Sequence, residues 1–280
     1  MARLVSIAGE APDGWPEKAA RAAAMVFWAG THVFSIVALL VGWELLARSG
    51  VFTHFQLPAF SDIVQRIWKD GASGDLWVNT GLTLYRALVS FIICVVGGVL
   101  IGMAMSRSTI ANWFFDPIVS IGFPMPKIAF LPVVILWLGV FDVSKITITV
   151  IDAIFPVIAA TVLAIQGVDR HLIWSARNMG ASNRELVTQI VLPAASPQIM
   201  TGLQVALPLS LIVTVVAEML MGGYGLGGAM MTASRFANST GVFAGIVEIA
   251  VVGYILVKAM AIARRRLLIW HQEANAPSTV

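Results

Sequence analysis

The 280-residue chain is 58% hydrophobic and only 12% charged, and its mean hydropathy is +0.86, whereas roughly a quarter of a soluble domain is charged. That balance excludes a soluble globular protein and reads as an integral membrane protein, with too few residues left between apolar stretches for a separate soluble domain. The net charge of +3 is carried by basic clusters flanking those stretches, so it is orientation charge and not a nucleic-acid footprint.

A polar segment, residues 1–24, carries Arg3, Glu10, Asp13, Lys18 and Arg21. It precedes an apolar stretch at 25–46 that is too long for a signal-peptide core and reads as a retained first span. The expected organisation is therefore a cytoplasmic N-terminal segment, 1–24, and a single transmembrane domain, 25–280. Further stretches near 82–105, 117–141, 146–167, 198–220 and 242–263 reach the roughly 20 residues needed to cross a bilayer. The fold class expected is an all-α membrane protein with about six transmembrane helices. Period-two alternation over successive short segments, the mark of a membrane β-barrel, is absent from the sequence. The loop 50–79 mixes acidic and basic residues and is expected to hold a short surface helix around Ser61–Trp68.

Small residues at helical spacing, Gly98 with Gly102 and Gly241 with Gly245, would let helices approach closely. Cys94 is the only cysteine, so no intrachain disulfide can form. The four histidines fall in four separate segments, and a metal site is not supported. Ionisable residues inside spans are costly and by default functional; here they are Arg86, Lys127, Asp152, Glu218 and Glu248. Lys127 follows Pro124 and Pro126, which remove backbone donors and break the helix, and irregular backbone at membrane depth must be buried in protein or line a watery cavity. Two readings of Lys127 stay open: a cation beside the translocation pathway with Glu218 near enough to hold it, or a charge neutralised by Asp152 or Glu218. Arg86, about one turn inside its span, is expected to snorkel to the interface. Asp152 and Glu248 are read as packing or pairing groups. The run Gly222–Gly228 is either a re-entrant element or a flexible loop.

Between the fourth and fifth apolar stretches lies a polar island, 169–197. Asp169 can cap a short helix, and Gly180 stands where that helix would end in a left-handed residue. Ser182-Asn183-Arg184-Glu185 spells a capping box. A second short helix is expected to run to about Leu192 and to stop at Pro193. Basic residues cluster at the N-terminus, at Arg107, at Arg170, Arg177 and Arg184, and at Arg264–Arg266, so the positive-inside rule puts both termini and this hairpin in the cytoplasm.

The hairpin's spacing resembles the cytoplasmic loop of permease subunits of binding-protein-dependent ABC importers, whose pattern is Glu-Ala-Ala, three residues, Gly, nine residues, Ile-x-Leu-Pro. Gly180, Ile190, Leu192 and Pro193 match, as does Ala176. Trp174 stands where the family usually has Glu, and Ser175 where it has Ala. Leu57-Pro58-Ala59-Phe60-Ser61-Asp62 resembles the start of the nitrate/sulfonate/taurine branch. So do Phe123–Pro132 with Ile135–Gly139, and Ala217-Glu218-Met219-Leu220 with Gly225-Leu226-Gly227.

The resemblance implies a type I ABC importer permease fold in the bacterial inner membrane. It also implies a loop formed by Trp174, Ser175, Ala176, Gly180, Ala181, Ser182, Arg184, Glu185, Ile190, Leu192 and Pro193 that a cytoplasmic P-loop ATPase dimer grips. A periplasmic or lipid-anchored solute-binding protein and a second permease copy complete the implied assembly. Pro124, Pro126, Lys127 and Glu218 are the candidates for the translocation pathway. None of the five lysines follows a glycine, as a P-loop requires, so the chain is not expected to hydrolyse ATP. It needs no cofactor of its own, with ATP and magnesium on the partner, and no catalytic group is expected. The solute implied is small and polar or anionic: nitrate, taurine, a sulfonate or a similar organic acid. The competing reading is an ATP-independent small channel or scaffold.

Overall fold

A computed structural model describes residues 34–270, and every regular element among them is helical. The expected N-terminal segment 1–24 and the beginning of the first apolar stretch lie outside the described residues. The chain divides into two compact units, Met1–Val64 and Gln65–Val280.

In the first unit, residues 34–48 are helical (α1). The apolar side chains Phe34, Ile36, Leu39 and Leu45 are exposed, as lipid-facing groups of a span would be. The chain after α1 is tied back to it. Glu44 accepts from the Ser61 N–H at 3.1 Å and Arg48 donates to Glu44 at 2.6 Å, while the Trp43 indole N–H donates to the Pro58 carbonyl at 3.1 Å. The expected surface helix is present as α2, Phe60–Ser73.

The second unit continues with α3 (Asp75–Arg107), α4 (Thr109–Gly122), one turn of 3-10 helix (Lys127–Phe130), α5 (Leu131–Leu138) and α6 (Asp142–Gln166). After the short α7 (Arg170–Asn178) come α8 (Asn183–Met221), α9 (Leu226–Arg235) and α10 (Ser239–Leu267). Among the described residues α3, α6, α8 and α10 are each long and apolar enough to cross a membrane. The α4 helix and the segment Lys127–Leu138 together make a fifth such unit, bent by 95°. The helix break expected before Lys127 is present within the 117–141 stretch, because Pro124 and Pro126 cannot donate the backbone bonds that would carry α4 through.

Packing centres on α3, α6 and α8. Cys94, Ala153, Val157 and Ala206 form one buried cluster, and small residues set the spacing. A Cβ on Gly98 would collide with Val157, and one on Gly102 with Thr161. Lipid tails are as apolar as leucine, so close van der Waals contact, which small residues permit, holds such helices together. Gly241 and Gly245 of α10 likewise lie against Ala233 and Met230 of α9.

The α3 helix begins seven residues before the expected 82. Its 33 residues make a rod about 50 Å long, well beyond a hydrocarbon core of about 30 Å. Its N-terminal turns carry Asn79, Thr83 and Arg86.

Candidate functional site

The hairpin is built by backbone capping. Asp169 Oδ1 accepts from the His171 N–H at 2.8 Å and opens α7. At the other end the Ala181 N–H donates to the Ala176 carbonyl at 3.0 Å, and the Gly180 N–H to the Arg177 carbonyl at 2.9 Å. This pair of bonds is a complete Schellman motif. Gly180 has a φ of +84°, as the motif requires. The Ser182 N–H donates to Glu185 Oε2 at 2.8 Å and the Glu185 N–H to Ser182 Oγ at 3.3 Å, closing the capping box on the next helix.

Pro193 does not stop that helix, contrary to expectation. Leu186–Val191 forms a π-helical turn and the chain continues as helix to Met221. The wider i→i+5 register just before the proline accommodates a residue that cannot make the α-helical bond.

The hairpin is seated on the protein through Ala176, Leu186 and Val191, which share a buried cluster with Ala164, Val168, Ala195 and Ile199. Ala181, Ile190 and Leu192 are half-buried, while Trp174, Ser175, Ser182, Arg184, Glu185 and Pro193 are exposed. One side of the hairpin is therefore a packed base and the other a free surface.

At the opposite ends of α3 and α8 the structure assembles a second polar site. Glu218 is fully buried and Arg86 is 3% exposed; Arg86 Nη1 donates to Glu218 Oε1 at 2.5 Å and to the Tyr224 carbonyl at 2.7 Å. Its Nη2 lies 2.7 Å from Asp142 Oδ1. Arg86 therefore does not snorkel: the separate nitrogens of its planar fork join two carboxylates and a carbonyl.

Glu218 also accepts from Thr83 Oγ1 at 2.8 Å and from the Gly227 N–H at 3.1 Å. Asn79 holds the Gly225 N–H, Thr83 the Leu226 N–H and Lys145 the Gly222 carbonyl. The glycine run after α8 is consequently not a free loop; side chains from α3, α6 and α8 bind its backbone. Gly225, with a φ of +128°, passes so close to the Glu218 carboxylate that any Cβ there would overlap it. Arg86, Lys145 and Glu218 are buried and Asp142 is half-exposed; the four balance in formal charge, which is how such a cluster is tolerated.

Two cavities open beside the cluster. One, about 570 Å³, is lined by Arg86, Asp142, Lys145 and Tyr224. The other, about 490 Å³, is lined by Arg66, Asp70, Asp75, Asn79, Tyr224 and Glu248. Glu248 keeps one buried oxygen without a hydrogen bond, while Arg66 is bound to Asp70 at 2.7 Å.

Lys127 resolves as a paired charge. Its Nζ lies 3.2 Å from Asp152 Oδ1 and donates to the Phe123 carbonyl at 2.9 Å, with the Phe155 ring centroid 4.6 Å away. Asp152 is its partner, while Glu218 is engaged by Arg86, so the expectation that Glu218 holds Lys127 is replaced by two separate pairs. Sequence reasoning missed Asn79, Thr83, Asp142 and Lys145. A signal for the first two existed: Asn79, Thr83 and Arg86, spaced four and three apart, lie on one face of α3.

Residues 94–269 match the family of binding-protein-dependent transport system inner membrane components. The chain belongs to that family. Among its relatives, the putative aliphatic sulfonates transport permease protein SsuC of Bacillus subtilis is 32% identical over 81% of this chain and 83% of its own length. The taurine transport system permease protein TauC of Escherichia coli is 28% identical over 86% and 90%. An inward-facing structure of the MetNI methionine ABC transporter superposes with a TM-score of 0.52 at 19% identity, covering 64% of this chain and 93% of that one, and shows the type I importer permease fold. The protein is thus the permease subunit of an ABC importer, a multi-pass inner-membrane component whose partners are an ATPase and a solute-binding protein. ATP hydrolysis resides on the separate subunit, and the alternative of an ATP-independent channel or scaffold is set aside.

Proposed function

We propose that this permease carries a small sulfonate, taurine-like or related polar organic acid into the cell, working as a pair of identical copies. In this reading both termini and the hairpin 169–197 face the cytoplasm, and the hairpin is the surface gripped by the ATPase dimer. The observation that carries the coupling role is the hairpin itself: a Schellman turn and a capping box back to back on a buried apolar base, with a free face that exposes Leu172, Trp174 and Met179 beside polar side chains. Such a unit can be pushed as a rigid body, because its backbone groups are satisfied internally. The break at Pro124 and Pro126 lies beside the pathway, with Lys127 held there by Asp152, and Glu218 belongs to the outer cluster.

Support for the solute class comes from relatives named for taurine and for aliphatic sulfonates. A more distant relative, from Chloroflexus aurantiacus, is named for riboflavin, so the screen should include uncharged heterocycles. The test is reconstitution with the ATPase and binding protein in proteoliposomes, followed by uptake of labelled taurine, an alkanesulfonate, nitrate and riboflavin. ATP-dependent accumulation of a sulfonate is expected; accumulation of riboflavin alone would refute the solute class. Failure of the permease to stimulate its ATPase would refute the coupling role.

A further inference from the structure

The C-terminal half of α10 carries charge that the fold leaves unanswered. Lys258, Arg264, Arg265 and Arg266 lie in the stretch 249–270, which holds no aspartate or glutamate. Among the described residues no carboxylate pairs with any of the four. Arg264 Nη1 donates to Gln204 Oε1 at 3.0 Å, while its buried Nε has no hydrogen-bond partner. Lys258 is exposed although it stands six residues, about 9 Å, inside the arginine cluster, and its Nζ lies 5.4 Å from the Tyr254 ring centroid. A charge within a span is costly and calls for a counter-charge.

The same stretch is loosely seated, for α10 is the least buried of the four long spans. Ile249, Val252 and Leu256 pack on Ala87, Leu211 and Val215, but nearer the arginines a cavity opens on each flank. One, about 130 Å³, lies between α8 and α10 and is lined by Gln204, Pro208, Tyr254, Val257, Lys258 and Ala261. The other, about 270 Å³, lies towards α3 and has only apolar side chains around it, Phe91, Leu203 and Met260 among them. At 100° per residue Tyr254, Lys258, Ala261 and Arg265 share one face of α10, and the small Ala261 leaves room between the two cations. From Tyr254 to Arg264 the helix rises about 15 Å, half of a hydrocarbon core of about 30 Å. Trp270, 67% exposed, follows as the residue type that anchors at the membrane interface.

We infer that the groove between α8 and α10 binds an anionic glycerophospholipid, its phosphate between Lys258 and Arg265 and one acyl chain along Val257, Tyr254 and Pro208. Charge and depth select this occupant. A phosphate supplies the missing counter-charge, a chain one leaflet deep matches the length of the groove, and basic pockets between spans are where anionic headgroups bind. The bound lipid ties α10 to α8 where direct packing gives way to cavities. The site is independent of the solute carried and of the ATPase contact.

The test titrates the delipidated full permease in detergent with phosphatidylglycerol or phosphatidylcholine of matched chains, counting bound lipid by native mass spectrometry. Phosphatidylglycerol should bind at least ~10-fold more tightly, and Lys258→Gln with Arg265→Gln should weaken it about 30-fold, the loss of two cations near a headgroup. Lys258→Arg should keep the preference. Ala261→Trp, which fills the groove and keeps every charge, should weaken binding as well, and it decides alone if the double variant fails to fold. Equal affinity for the two lipids would overturn the inference, as would a double variant or an Ala261→Trp protein that binds phosphatidylglycerol within twofold of the parent. Displacement by excess inorganic phosphate would also overturn it, since the acyl chain would then contribute nothing. Finally, Ala261→Cys in a Cys94→Ala background, carrying a photoreactive group, should capture phospholipid in native membranes; capture of a second permease copy instead would show this face covered by protein and refute the assignment.

Discussion

Gly180 offers the sharpest test of the hairpin. Its φ of +84° lies in the left-handed region, and a Cβ built on it meets nothing within 4 Å. A substitution there therefore acts through backbone strain and not through a collision, which separates it from most glycine replacements in this protein. For an L-residue that strain is about 1–2 kcal/mol, and a β-branched residue fares worst. The chain can escape by opening the cap, but it then loses the Ala181-to-Ala176 and Gly180-to-Arg177 bonds, each contributing about 1 kcal/mol. Either route lowers the population of the docking-ready hairpin roughly 5–30-fold, the ratio that one to two kcal/mol commands. In nanodiscs, Gly180→Val should lower ATPase stimulation and uptake together by about that factor, while membrane insertion and thermal stability stay near those of the parent. Gly180→Asn, which tolerates positive φ, should retain most activity. A Gly180→Val protein that couples normally would refute the reasoning, and so would an Asn variant as damaged as Val, since that would point to a need for space at the contact.

Removing one partner of the buried Arg86–Glu218 pair should be costly: Arg86→Met is expected to lower stability by about 3–5 kcal/mol, read as a loss of melting temperature in detergent, and adding Glu218→Gln should restore part of it. An unchanged melting temperature in the single variant would contradict the pairing. Lys127→Met should strand Asp152, so Asp152→Asn in the same chain should recover folding and transport whereas Glu218→Gln should not; rescue by Glu218→Gln would show that Lys127 answers to a different acid. For orientation, cysteines at Asn183 and at Tyr224 in a Cys94→Ala background should label from opposite sides of the membrane, and labelling of both from outside intact cells would overturn the charge-based topology.

Features that depend on near neighbours and on bulk hydropathy are legible in the residue order. Long apolar runs have no stable state in water and must span a bilayer, so α6 and α10 were legible within a few residues, whereas α3 and α8 begin seven and fifteen residues before the stretches expected for them. The hairpin was legible because its capping groups are close in sequence: Asp169 bonds two residues on, and Ser182 and Glu185 are three apart. Their geometry follows from residue type and spacing alone. Where Pro193 was expected to end a helix, the local rule failed because the preceding π turn and the packing of Leu186 and Val191 carry the chain onward.

The charge partnerships come from packing between helices distant in sequence. Arg86 and Glu218 lie 132 positions apart, and a guanidinium near a span end has the same local sequence whether it snorkels or is buried. Only the packing of α3 against α6 and α8 delivers Glu218, Asp142 and the Tyr224 carbonyl to it. The choice of Asp152 over Glu218 for Lys127 has the same origin. Each charge needs a counter-charge within a few ångströms in a low-dielectric interior, and which acid comes that close is a property of how helices distant in sequence are stacked, not of any local pattern.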